Sequence, residues 1–64
     1  MSKLIKRLEN DTDFDVCVHQ LKDGRFAVTV WDTVARKHEL KDTKVTLDEA
    51  SAVAEELNNG YKIN

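Results

Sequence analysis

Three side chains in this chain of 64 residues are suited to metal binding or to nucleophilic chemistry, namely its single cysteine and its two histidines. Cys17 and His19 are two positions apart in a segment with the alternation of a strand, so both point to the same face. His38 follows on a different predicted strand. Zinc sites usually have four protein ligands, or three with a supporting second shell. We therefore interpret Cys17 as a small apolar residue and the histidines as ordinary ones, and we predict no metal and no cofactor.

The sequence also argues against a catalytic site and against a calcium-binding loop. A nucleophile pair of Cys17 and His19 lacks an orienting group and an oxyanion hole nearby in the sequence. A calcium loop would begin with the alternating carboxylates Asp11, Asp13 and Asp15, but valine and lysine stand where that loop requires glycine and glutamate. A chain of this length is also too short for both a core and a deep catalytic cleft. We expect a protein that is not an enzyme.

Composition indicates one small folded domain over residues 1–64. Leucine, isoleucine, valine and phenylalanine make up 17 of the 64 residues, which is above the level typical of disordered chains. One cysteine excludes an internal disulfide framework. The apolar runs are too short to span a membrane and the N-terminus does not resemble a signal peptide, so we expect a cytoplasmic protein with no membrane partner.

Alternating apolar residues predict a β-hairpin formed by residues 14–19 and 26–31. A two-residue loop at Asp-Gly would place apolar residues opposite polar ones. A three-residue loop ending at Gly24 places Val18 opposite Val28 and brings both apolar sets to one face. A slip of one residue would reverse one strand, so we predict the three-residue loop with Gly24 in a left-handed bulge.

The flanking segments have weaker patterns. A third strand is predicted over residues 36–41 with His38 and Leu40 facing the core, followed by a loop over residues 42–44. Residues 2–9 place their apolar side chains on one face of a short helix, and a strand is the alternative.

The C-terminal helix has the clearest signal. Thr46 and Glu49 form a capping box, and Gly60 is predicted to end the helix in the left-handed conformation. Tyr61 and Ile63 then form a short strand or a packing tail. The predicted fold is α+β, a three-stranded antiparallel sheet packed against one C-terminal helix, with a short N-terminal helix or strand. Its core is Phe14, Val16, Val18, Phe26, Val28, Val30, Leu40, Leu47, Val53, Ala54 and Leu57, with Leu4, Ile5 and Leu8 as an extension.

The only tryptophan, Trp31, is predicted on the sheet face away from the helix, with Cys17, His19, Ala27 and Thr29. Tryptophan is highly buried on average, so one interpretation packs Trp31 under the N-terminal segment or the C-terminal tail. The other leaves it exposed as a binding hot spot.

The segment from Asp23-Gly24-Arg25 through Trp31-Asp32 to the helix that ends near Gly60 resembles the arm-binding N-terminal domains of tyrosine integrases, over about residues 20–60. This resemblance implies a three-stranded sheet that enters the DNA major groove. The acidic net charge of −2 departs from that family, because DNA-binding domains usually have a clear basic face. The DNA-facing positions that the resemblance implies are Arg25, Thr29, Trp31, Arg36 and Lys37.

The run Thr46-Leu47-Asp48-Glu49-Ala50, followed by Ala54-Glu55, is similar to a helix start in small acidic podophage inhibitors of host RNA polymerase. This resemblance implies a phage-encoded inhibitor or regulator that docks on a host protein, such as a nucleic-acid-processing enzyme. We expect a non-enzymatic protein-binding module with an acidic helix and an exposed sheet face. Its predicted protein-binding residues are Trp31, Asp48, Glu49, Glu55 and Glu56.

Two alternatives stay open. The first is binding of double-stranded DNA through the sheet, as in the integrase arm-binding domains. The second is a homodimer in which the open sheet faces of two copies pair.

Overall fold

The computed structural model describes residues 2–62 as a four-stranded antiparallel sheet with a helix across one face. Each strand pairs with its sequence neighbours in the order β1-β2-β3-β4, and no helix in the described part of the chain is long and apolar enough to cross a membrane. The fold is α+β, as predicted, but the sheet has one strand more than expected. The elements are β1 (Lys3–Leu8), β2 (Phe14–Gln20), β3 (Phe26–Asp32), β4 (Lys37–Lys44) and α1 (Leu47–Lys62).

The N-terminal segment is the added strand, so the strand alternative is correct and the predicted helix is wrong. β1 pairs with β2, with Leu8 opposite Val16 and Leu4 opposite His19. The register shifts between Leu4 and Lys6, so Ile5 is the extra residue of a β-bulge. A helix this short is marginal in water, whereas the strand gains hydrogen bonds from β2 and packs Ile5 and Leu8 against the core.

The hairpin of β2 and β3 has the predicted register. Val18 lies opposite Val28. Gly24 has a φ of 94°, which confirms its left-handed conformation. The loop is closed by two backbone hydrogen bonds, from Gly24 N to Leu21 O at 3.0 Å and from Leu21 N to Arg25 O at 2.7 Å. The preference for one apolar face therefore predicts the register correctly.

Strand β4 differs from its prediction in length and in orientation. It includes residues 42–44, which were predicted as a loop. Trp31 lies opposite His38 and Thr29 lies opposite Leu40, so both β4 residues are on the face away from α1. Leu40 is 63% exposed and does not belong to the core. The inward orientation predicted for His38 and Leu40 is wrong, because the length of the β3–β4 turn sets the opposite register.

Helix α1 begins as predicted and ends later. The Thr46 hydroxyl accepts a hydrogen bond from Glu49 N at 3.2 Å and donates one to Glu49 Oε1 at 3.0 Å. Gly60 lies within the helix, so its predicted left-handed stop is wrong. Tyr61 stacks on Phe14 with ring centroids 5.4 Å apart, and this contact favours the last helical turn. Ile63, predicted in a strand or tail, lies outside the described residues.

The core lies between α1 and the adjacent sheet face. Phe14, Leu40 and Leu47 were predicted in this core, and Leu4 in its extension, but all four are exposed. The buried side chains of this core are Val16, Val18, Val28, Val30, Ala50 and Ala54. The apolar side chains packed around them are Ile5, Leu8, Phe26, Val53, Leu57 and Tyr61.

Substitution of the two glycines by alanine should change the free energy of unfolding in opposite directions. We expect Gly24→Ala to lower the free energy of unfolding by about 1 kcal/mol, because its φ of 94° is unfavourable for an L-residue. Gly60→Ala should raise it by about 0.5 kcal/mol, because an added methyl group meets no atom there and alanine favours the helix. Urea unfolding followed by Trp31 emission measures both. A change of the same sign in the two variants would contradict this assignment.

Candidate functional site

The sheet face opposite α1 carries the cysteine, both histidines and the tryptophan, and we call it the open face. Strand alternation and the two bulges place these side chains together on it. Its residues are Leu4, Arg7, Asp15, Cys17, His19, Ala27, Thr29, Trp31, His38, Leu40 and Thr43.

Cys17, His19 and His38 form a cluster at the centre of the open face. One ligand atom of each residue lies within 4.8 Å of those of the other two. The Thr29 hydroxyl lies between the imidazoles, 3.1 Å from His19 Nε2 and 3.2 Å from His38 Nδ1. A hydroxyl can donate to one ring nitrogen and accept from the other, so Thr29 links the two rings.

Aromatic packing supports the same cluster. The rings of His19 and His38 meet edge to face with centroids 5.1 Å apart. Trp31 also packs against His38, at a centroid distance of 4.6 Å. A hollow of about 260 Å³ opens beside these rings, lined also by Leu4, Arg7 and Cys17. Trp31 is half-buried against this cluster, and neither the N-terminal strand nor the helix covers it.

The environment shifts the acid–base properties of two cluster residues. Burial raises the pKa of the Cys17 thiol, although the positive charge of Arg7 opposes this effect. Burial also lowers the pKa of His19, with a further contribution from His38. At neutral pH the thiol is therefore protonated and His19 is neutral, which is unlike the thiolate–imidazolium pair of an activated cysteine.

Arg7 and Asp15 form an ion pair at the edge of the hollow. Asp15 is only 5% exposed, and its Oδ2 atom accepts hydrogen bonds from Arg7 Nε at 2.9 Å and from Arg7 Nη2. A buried carboxylate without a cation would carry a large desolvation cost. Arg7 on β1 thus offsets the desolvation cost of burying the Asp15 carboxylate on β2.

The structure separates the residues predicted to bind a protein. Trp31 is on the open face. Asp48, Glu49, Glu55 and Glu56 are exposed on α1, which packs against the opposite face of the sheet. One flat partner surface cannot contact both groups at the same time.

The residues that the integrase resemblance implies for DNA binding are also dispersed. Arg25 lies before β3 and pairs with Asp23, whose Oδ2 atom is 2.7 Å from Arg25 Nε. Arg36 lies beyond the other end of β3, in the turn before Lys37. β3 has seven residues, a length of about 23 Å, so these cations do not lie together on the open face. Thr29 is on that face but is buried and bonded to both histidines.

The sequence-based prediction placed His38 on the wrong face of the sheet and therefore missed its position in the cluster. The sequence feature that indicates the correct position is the turn that begins at Asp32. The Oδ1 atom of Asp32 accepts hydrogen bonds from Val34 N and Ala35 N, each at 3.0 Å. Arg36 follows with a φ of 59° and donates from its N to Asp32 O at 2.7 Å. This four-residue turn sets the register that places His38 beside Trp31.

Comparison with known proteins gives no match to a family model, to a curated protein or to a solved structure. The resemblances to integrase arm-binding domains and to podophage inhibitors stay hypotheses. The function is therefore inferred from the geometry of the chain itself.

Stability should decrease as the pH falls through the range in which histidines titrate. Because the pKa of His19 is lowered in the folded protein, the unfolded chain takes up this proton first, below about pH 6.5. We expect a lower free energy of unfolding at about pH 5.5 than at about pH 7.5, measured in urea with a chelator present. His19→Gln should reduce this difference, because it removes the group whose pKa burial lowers. An undiminished difference in this variant would contradict the assignment.

Mutation of Arg7 and mutation of Asp15 should lower the stability of the protein to different extents. We expect Arg7→Met to lower the urea midpoint more than Asp15→Asn does. The first change leaves a buried carboxylate without its cation, whereas the second leaves a neutral amide that can still accept a hydrogen bond from Arg7. Equal losses in the two variants would show that burial of the charge has no special cost here.

Proposed function

We propose that this protein is a small non-enzymatic module that binds a partner protein through the open face. The observation that carries this proposal is the presence of three large apolar side chains on a face that no described element covers. Leu4 is 52% exposed, Leu40 is 63% exposed and Trp31 is half-buried. Leu4 and Trp31 line the same hollow, and exposed apolar side chains of this kind on one face of a small domain are typical of a site that another molecule covers.

The edges of the sheet are poorly suited to strand addition, which favours the face as the binding surface. β1 and β4 are the edge strands, and each has a bulge. Both are also rich in lysine, with Lys3 and Lys6 on β1 and three further lysines on β4. Bulges and edge lysines prevent another strand from pairing.

Trp31 has the properties of an interface anchor. Its ring packs against His38 at 4.6 Å, which limits its rotation before any partner arrives. A side chain that is held in place loses little conformational entropy on binding. The hollow of about 260 Å³ beside Trp31 can accept an apolar side chain of the partner.

The acidic surface of α1 acts at longer range. Residues 47–61 contain four carboxylates and neither lysine nor arginine. Because α1 lies behind the open face, these charges do not contact the partner and instead attract a basic protein through their field. A nucleic-acid-processing protein of a host cell is a class of partner with such a basic surface.

The contributions of the open face and of α1 can be tested separately by substitution. Immobilised wild-type protein captures partners from a lysate, and association and dissociation rates are then measured for the purified partner. Trp31→Ala and Leu40→Lys should weaken the complex by about 2 kcal/mol or more, mainly through faster dissociation. The double variant Glu55→Lys, Glu56→Lys should mainly slow association and reduce its dependence on salt.

Val34→Lys is the matched control, because Val34 is 73% exposed but lies in the β3–β4 turn, off the open face. It should leave the affinity unchanged. A partner that binds Leu40→Lys as tightly as wild type would overturn the proposal. A salt-sensitive change in Trp31 emission with random duplex DNA would favour the DNA alternative instead. Dimers in sedimentation that disappear with Leu40→Lys would make the partner a second copy.

A further inference from the structure

The donor atoms at the centre of the open face are those of a transition-metal site. Cys17 supplies a thiol, and His19 and His38 supply imidazole nitrogens, all within 4.8 Å of one another. They come from two non-adjacent strands, β2 and β4, that the sheet brings together across β3. We propose that Cys17, His19 and His38 form a three-ligand site for a zinc ion.

The distances are close to those that zinc requires. Zinc–sulfur bonds of about 2.3 Å and zinc–nitrogen bonds of about 2.0 Å place tetrahedral ligand atoms about 3.5 Å apart. The donors within 4.8 Å therefore have to approach by about 1 Å, a distance that side-chain rotation covers. His38 is exposed and His19 is half-buried, so both rings can move toward the buried Cys17 once their hydrogen bonds to Thr29 rearrange.

The surroundings of the cluster suit a bound cation. Thr29 holds both imidazoles from the middle strand and can serve as a hydrogen-bond partner for a ligating ring. The positive charge of Arg7 would repel an ion in the hollow, but Asp15 neutralises it. Trp31 packs against His38 and limits the movement of this ring.

The donor set also defines the class of metal. Thiolate and imidazole are suited to zinc and copper, whereas magnesium and calcium require oxygen ligands. A neutral imidazole offers the lone pair of one ring nitrogen to the metal. The Cys17 thiol loses its proton to solvent when zinc binds.

Three protein ligands leave the fourth tetrahedral position open, as in zinc sites that bind water or an external group. Cys17, His19 and His38 all line the hollow of about 260 Å³, which has room for such a group. Zinc binding is thus a property of the chain alone and goes beyond the proposed docking function.

The test uses the reduced, chelator-treated protein without an affinity tag, titrated with Co²⁺ as a spectroscopic substitute for zinc. We expect a thiolate-to-cobalt charge-transfer band that saturates at one ion per chain. Trp31 emission should be quenched in parallel, because its ring lies 4.6 Å from that of His38. Addition of Zn²⁺ should displace Co²⁺ and abolish the band.

Variants identify the ligands. Cys17→Ser should abolish the charge-transfer band, and His19→Gln and His38→Gln should each weaken Zn²⁺ binding by about tenfold or more. His38 is exposed, so this variant keeps its fold, which far-ultraviolet circular dichroism verifies. Glu39→Gln is the matched control, since Glu39 is exposed and adjacent to His38 but lies opposite Val30, off the open face. It should bind as wild type does.

Two results would overturn the proposal, namely no charge-transfer band in the wild-type protein or equal affinity in His38→Gln and wild type. The second would place the ion on the thiol without the β4 ligand. These results do not depend on the docking proposal, because the titration needs no partner and Leu40 is not a ligand. A loss of docking in Leu40→Lys with unchanged Co²⁺ binding would separate the two functions.

Discussion

The packing of four valines of β2 and β3 beneath Ala50 and Ala54 of α1 is the contact on which the rest of the structure depends. Strand alternation sends every second residue of the hairpin to the opposite side once the valines face the helix. Because α1 covers only one face, the polar chemistry of the hairpin lies on the other. Cys17, His19 and Thr29 occupy the open face for this reason.

The open face satisfies its own polar groups, although no described element covers it. Arg7 compensates the buried carboxylate of Asp15, and Thr29 bonds to both histidines. The large side chains around them shield the smaller ones, so that Cys17 and Thr29 are buried in a sheet with one helix layer. The same contacts that stabilise this face therefore hold its chemical groups in place, and substitutions here affect stability and binding together.

The molecule presents two surfaces with different physical roles. The open face offers apolar contact area, a hollow and metal-binding donors within a few ångströms. Helix α1 carries negative charge behind that face. Electrostatic attraction acts at distances too long for direct contact between side chains. In the two proposals, a zinc ion would add an open ligand position within the surface that binds the partner.

Local sequence by itself determined the β2–β3 hairpin and the start of α1. The matched apolar alternation allowed one register, and the Thr46–Glu49 box fixed the first helical turn. Both features depend on neighbouring residues within one segment of the chain, so they can be predicted without knowledge of the fold. The acidic surface of α1 was predictable for the same reason.

Tertiary structure decided β1, the orientation of β4 and the last turn of α1. Residues 3–8 fit a helix or a strand, and only the free edge of β2 selected the strand. Tyr61 continues the helix because Phe14 lies beside it. The position of His38 depended on the number of residues in the turn after Asp32, and a change of one residue would reverse its face. The three donors therefore occur together only in the folded sheet, because register, and not composition, sets which strand residues share a face.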